Sequence, residues 1–144
     1  MWGTHCLKAW SKTQGIIALS SGEAELAALV KGSTELLGMR SIMQDFGHIV
    51  ELDLSTDATA AIGMVSREGL GKVRHLAVAD LWVQERQRTG EIVYDKVNGK
   101  DNPADAMTKG IDAASMEKHL QCMGFVQTSG RHKLAPQLTR LKDE

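Results

Sequence analysis

Apolar positions follow two rhythms along this chain. From Val50 to Thr56 they alternate, with Val50, Leu52 and Leu54 on one side and Glu51, Asp53 and Ser55 on the other. That is the period of a strand with one buried face. Glu91–Val97 reads as a second such strand, His5–Trp10 alternates in part, and Ile16–Leu19 reads as a short extended piece. The other rhythm is helical. Leu26, Leu29, Val30, Leu37 and the Ile42/Met43 pair recur at helical spacing to about Phe46. Ser20 and Glu23 stand at capping-box spacing before this run, and Gly47 suits its C-terminal cap. Shorter helices are predicted over 58–65 and from His75 to about Arg88, the latter with Leu76, Ala79, Leu81, Trp82 and Val83 on its apolar stripe. A further helix opens at Asn102, with Pro103 at its first position, and another covers Asp112 to Met123.

The order strand, strand, helix, strand, helix, helix, strand, helix, helix predicts a mixed α/β layer architecture. Residues 1–125 make one domain, and 126–144 a polar, weakly patterned tail. Composition changes this picture little. Of the 144 residues, 42% are apolar and 24% charged, the balance of an ordinary globular domain. A net charge of −1 does not by itself point to nucleic acid, although a local basic face would suffice. No apolar run approaches the ~18 residues of a membrane span, and the first residues lack the basic and apolar regions of a secretion signal. The expectation is a cytoplasmic protein without membrane contact. Cys6 and Cys122 fall in no zinc-binding spacing and are expected as free thiols. Trp10 and Trp82 are expected in the core.

Three acids stand where predicted elements begin or end. Glu25 lies in the first turn of the long helix, Asp57 just past the alternating strand, and Asp105 in the first turn of the helix after the last strand. Each has a local explanation: a favourable first-turn acid, a cap for 58–65, or a partner in an Asn102 capping arrangement. Together they suggest more. Strand ends and adjoining helix starts in α/β sheets are where ligand sites assemble. Converging carboxylates repel one another unless a cation sits among them, and hard dications such as Mg²⁺ take such oxygen ligands.

The same residues carry a family resemblance. Leu19-Ser20-Ser21-Gly22-Glu23-Ala24-Glu25-Leu26 resembles the LSSxEAE segment of ribonuclease H domains in copia-type retrotransposon Pol polyproteins. Leu54-Ser55-Thr56-Asp57-Ala58-Thr59-Ala60-Ala61 is similar to the strand end that carries an aspartate in that family. Arg74-His75 and the following helix through Trp82, and Gly99-Lys100-Asp101-Asn102-Pro103-Ala104-Asp105-Ala106-Met107-Thr108-Lys109, resemble its two remaining segments, all four in family order. The resemblance implies a ribonuclease H-like mixed sheet flanked by helices. It implies that Glu25, Asp57 and Asp105 are catalytic metal ligands for Mg²⁺ or Mn²⁺, two ions in the intact family site. The reaction it implies is hydrolysis of RNA in RNA/DNA hybrids, with the upstream reverse transcriptase portion of the polyprotein as a partner. Arg67, Lys72, Arg74, Lys100 and Lys109 are expected against the nucleic-acid backbone, with Lys8, Lys12 and Lys96 as further cations.

The chain departs from the family pattern in three places. No Asp or Glu precedes Glu23, so the carboxylate on the family's first strand has no counterpart, and the first two strands of the family fold are expected to be lacking. The consequences expected are impaired catalysis, an exposed sheet edge, and marginal stability or self-association through that edge. Leu76-Ala77 stands where the family often has Ile-Asp, and no histidine occurs in the loop Asn98–Asp101. His75 is expected to be structural. The alternative reading is a catalytically dead remnant with at most nucleic-acid or metal binding. A third is an unrelated α/β domain whose acids are all helix caps.

Overall fold

The computed structural model describes residues 1–15, 17–69, 81–126, 130, 131 and 134. Helix α1 runs from Ser21 to Asp45, and both its ends are built by local chemistry. At the N-terminus the Ser20 hydroxyl accepts from Glu23 N (3.3 Å), and the Glu23 carboxylate reaches back to Leu19 N (2.8 Å) and Ser20 Oγ (3.1 Å). This is the reciprocal cap that the spacing predicts. At the C-terminus Gly47 takes φ +79°, Gly47 N donates to Gln44 O (2.8 Å) and His48 N to Met43 O (2.9 Å). Those two bonds form a Schellman motif, whose left-handed residue favours glycine. Leu26, Leu29 and Ser33 form the buried stripe of α1.

Strand β1 (Asp53–Thr56) is followed by α2 (Thr59–Val65), α3 (Trp82–Arg88), β2 (Val93–Lys96) and α4 (Ala113–Cys122). Two short 3₁₀ turns, Gly99–Asp101 and Pro103–Met107, lie between β2 and α4. β1 and β2 pair in parallel, with Asp53 opposite Val93 and Thr56 opposite Lys96. A parallel pair requires a crossover, and α2 and α3 lie within it. One face of the sheet is buried. Leu52, Thr56, Ile92 and Tyr94 pack with Leu26, Leu29, Ala61, Met64, Val65 and Val83, while Asp53, Ser55, Val93 and Asp95 face outward. The Ser33 hydroxyl and Tyr94 phenol meet at 2.7 Å inside this core and tie α1 to β2. Gln87 Oε1 accepts from Tyr94 N (3.2 Å), which satisfies a donor on the side of β2 away from β1.

The structure corrects the expected strands near the start of the chain. Residues 5–10 form no ladder: a bridge between Trp2 and His5 and one bond from Cys6 N to Met123 O (3.1 Å) are what the backbone makes there. Ile17 and Leu19 are 94% and 72% exposed, and residue 16 lies outside the described residues. A strand is stabilised by its partner and by burial of its apolar face, and neither segment has both. The described sheet is therefore parallel and two-stranded rather than mixed, and β1 pairs on one side alone among the described residues. Trp10 is also corrected. It is 43% exposed and lies under the Lys8 ammonium, 5.0 Å from the ring centroid, whereas Trp82 packs against the core as expected. The segment Asn102–Asp105 opens a 3₁₀ turn rather than an α-helix. Cys6 and Cys122 are free thiols. Most of the expected tail, and of the helix beginning at His75, lies outside the described residues. No helix among the described residues is long and apolar enough to cross a membrane.

Candidate functional site

The caps of the surrounding elements do not use the three acids. The first turn of α1 is capped by Ser20 and Glu23, leaving Glu25, half-buried, without a hydrogen bond among the described residues. The N-cap of α2 is Ala58, with no side-chain cap bond. The local donor there, Ala58 N, is taken by Thr56 Oγ1 (3.2 Å) and not by Asp57. The 3₁₀ turn Pro103–Met107 is capped by Asn102, whose side chain accepts from Ala104 N (3.2 Å), so Asp105 is not its cap. The capping explanations for Asp57 and Asp105 are thus left vacant or filled by other residues, and Glu25 lies beyond the first turn of α1, whose first-turn acid is Glu23.

Each acid is placed by a different element. Asp57 directly follows β1, at the carboxyl end of a parallel strand, and Asp105 follows β2 through the two 3₁₀ turns. Glu25 is carried by the first turns of α1. That end of the helix comes close to α2 because position 22 is glycine: a Cβ there would meet Met64 Cε at 3.0 Å and Ala60 Cβ at 3.2 Å. The Asp57 carboxylate lies against Gly99, where a Cβ would stand 3.3 Å from Oδ2. Side chains larger than hydrogen at 22 or 99 would therefore press on the framework that carries two of the acids.

One of the three acids, Asp105, pairs with a lysine expected against the nucleic-acid backbone. Lys109 Nζ donates to Asp105 Oδ2 at 2.8 Å, with the two side chains 57% and 16% exposed. The hydrogen bond that Lys109 donates to Asp105 holds this ammonium above the usual lysine range. The signal available in the sequence was the Asp105–Lys109 spacing of four, the spacing of side-chain neighbours on a helical turn.

By donor chemistry, three carboxylates suit Mg²⁺ or Mn²⁺. By position, among the described residues no three His, Cys, Asp or Glu side chains are gathered closely enough to hold a metal ion. Of the other expected cations, Lys100 is exposed on the 3₁₀ turn beside Gly99. Arg67 follows α2 and lines a separate cleft with Gln84 and Arg88. Lys72, Arg74 and His75 lie outside the described residues.

Fold and site define a mixed α/β domain in which Asp57 follows one strand of a parallel pair, Asp105 lies in a 3₁₀ turn after the other, and Glu25 stands near the start of α1. The chain is 27% identical over 118 residues to the retrovirus-related Pol polyprotein from transposon TNT 1-94 of Nicotiana tabacum, a match covering 80% of this chain and 9% of that protein. The chain is therefore similar to a segment of a retrotransposon Pol polyprotein, and it spans about a tenth of that relative's length. No protein-family model and no solved structure matches it.

Proposed function

We propose that the chain is a ribonuclease H-type module of a retrotransposon Pol polyprotein, directed at the RNA strand of RNA/DNA hybrids. The observation that carries this reading is the placement of Asp57 and Asp105, each after a strand of the parallel pair and neither spent as a helix cap, with Glu25 near the start of α1. Glu25, Asp57 and Asp105 would hold Mg²⁺ or Mn²⁺, which supplies charge stabilisation at a scissile phosphate and an acidified water. The chain's own contribution is to fix the acids. The Ser33–Tyr94 bond ties α1 to β2, and Gly22 and Gly99 admit the close approaches. Lys100, exposed beside Gly99, is available to phosphates. The reverse transcriptase portion of such a polyprotein is the partner this reading requires, and the unpaired side of β1 is the surface for self-association.

A second reading, a non-catalytic remnant, is favoured by one observation: the acids are not gathered into a metal-holding group. Cleavage of an end-labelled RNA/DNA hybrid with Mg²⁺ or Mn²⁺, beside Asp57→Asn and an EDTA blank, separates the two. The nuclease reading expects cleavage of the RNA strand that falls at least about a hundredfold in Asp57→Asn, since even outer-shell partners of a metal are worth 10- to 100-fold. Cleavage that survives Asp57→Asn, or none with either metal, would sink it.

A further inference from the structure

Trp10 stands at the surface, 43% exposed, on a stretch of chain that forms no ladder. Its place there is nonetheless fixed. Lys8 Nζ lies over the ring, 5.0 Å from its centroid, and the same ammonium donates to Glu35 Oε2 on α1 at 2.6 Å. Lys31 pairs with the other oxygen of Glu35 at 3.0 Å. Further along, Gln14 Nε2 donates to Ala24 O at 2.6 Å. The stretch from Lys8 to Gln14 thus runs opposite to α1, against Glu35 at one end and Ala24 at the other. Three lysines meet one glutamate around it, because Lys8 and Lys31 share Glu35 and Lys12 is exposed two positions after the ring.

We infer that Trp10 is a stacking platform for an unpaired base of a single-stranded nucleic acid, with Lys12 and Lys31 serving the phosphates on either side of that base. An exposed aromatic ring among cations holds single strands without reading their sequence, since every base has a π-face. Bases inside a duplex are already stacked on their neighbours, so the ring selects unpaired ones. Lys8 prepares the platform: anchored to Glu35, it sets the ring before a ligand arrives, and less freedom is then lost on binding. The inference goes beyond hydrolysis, because the platform needs neither the three acids nor a metal. Only its link to them rests on the nuclease reading. Glu35 follows Glu25 on the same helix by about 15 Å of axis, roughly four nucleotides of one strand at ~3.4 Å per step. A single-stranded end of that length beside a hybrid reaches from one to the other.

The test uses the whole chain and a fluorescein-labelled oligodeoxythymidylate, with binding followed by fluorescence anisotropy in EDTA. Trp10→Ala should weaken binding about tenfold, the scale of one base–aromatic stack, and Trp10→Phe, which keeps a π-face, should recover most of that loss. Lys12→Gln should lower the slope of log Kd against log salt by about 0.7, the share of one phosphate on a single strand. An oligonucleotide carrying 5-bromouracil should photo-crosslink to the peptide that holds Trp10. An affinity unchanged in Trp10→Ala, an equal loss in Trp10→Phe, crosslinks confined to other peptides, or no binding by the wild-type chain each overturns the inference. With a DNA strand and no metal these outcomes are separate from cleavage, so the nuclease reading stands or falls on Asp57→Asn with the hybrid.

Discussion

The bond between Ser33 and Tyr94 allows a sharp test of the core that carries the site. Ser33 is 0% exposed and Tyr94 5%. The serine hydroxyl has one hydrogen, and it is committed to Leu29 O at 2.8 Å, so across the 2.7 Å contact the phenol of Tyr94 is the donor. The two truncations are therefore unequal. Tyr94→Phe removes the donor and leaves Ser33 still bonded to Leu29, a loss of about 1 kcal/mol. Ser33→Ala strands a buried phenol, which costs about 1–3 kcal/mol, offset by roughly 0.5 kcal/mol of helix propensity gained by alanine. Removing both leaves no stranded group, so Ser33→Ala/Tyr94→Phe should be more stable than Ser33→Ala alone. Urea melts of the four proteins followed by circular dichroism give the cycle. A double variant whose cost is the sum of the singles would refute the assignment of donor and acceptor. The titration of Tyr94, the single tyrosine of the chain, gives an independent readout. Burial pushes its phenol above the usual tyrosine range, and the Ser33 bond opposes that shift. The neutral form is thus favoured by the fold. Its contribution is complete below the unfolded value of about 10 and is lost as pH rises through the folded one.

Two further outcomes follow from the same structure. Glu91 is held by Arg40 first and then Arg86, which keep its carboxyl below the usual glutamate range. A depressed acid stabilises above its unfolded value of about 4.3, and the contribution disappears as pH falls through the folded value. Glu91→Gln should therefore cost stability at neutral pH, with the difference from wild type closing in acid denaturation series; a constant difference would remove the ion pairs as its cause. Ser20→Ala should cost about 1 kcal/mol through the lost α1 cap, read from thermal melts, and a loss within error of zero would show the capping box to be idle.

The parts of the fold legible in the sequence are those fixed by neighbours along the chain. Both ends of α1 follow from residues within four positions of each other: Ser20 with Glu23, and Gly47 with the carbonyls of Gln44 and Met43. The faces of β1 and β2 also follow, because alternation and burial coincide at Leu52, Thr56, Ile92 and Tyr94. The extended segments at 5–10 and 16–19 show the limit. Alternation states that a segment could lie on a sheet, while a ladder needs donors and acceptors on another strand. Leu7, Trp10, Ile17 and Leu19 are exposed accordingly. The parallel register of β1 and β2 was equally out of reach, since it depends on how the crossover closes.

The site shows the same division. The three acids could be singled out because each sits at the end of an element, and parallel strands bring their carboxyl ends to one side. The pairing of Lys109 with Asp105 was visible only as a spacing of four, which does not say whether the two side chains meet. The difference has a physical consequence. Like charges held together by a framework oppose the fold that assembles them, so any cation that settles among them stabilises that fold by mass action. At a ligand concentration of a hundred times Kd the gain is about 2.7 kcal/mol, a sizeable share of what a small domain has in total. A domain whose described sheet is two parallel strands is poorly placed to forgo that gain. Lys109 offsets the charge of Asp105, the one acid of the three whose carboxylate it meets.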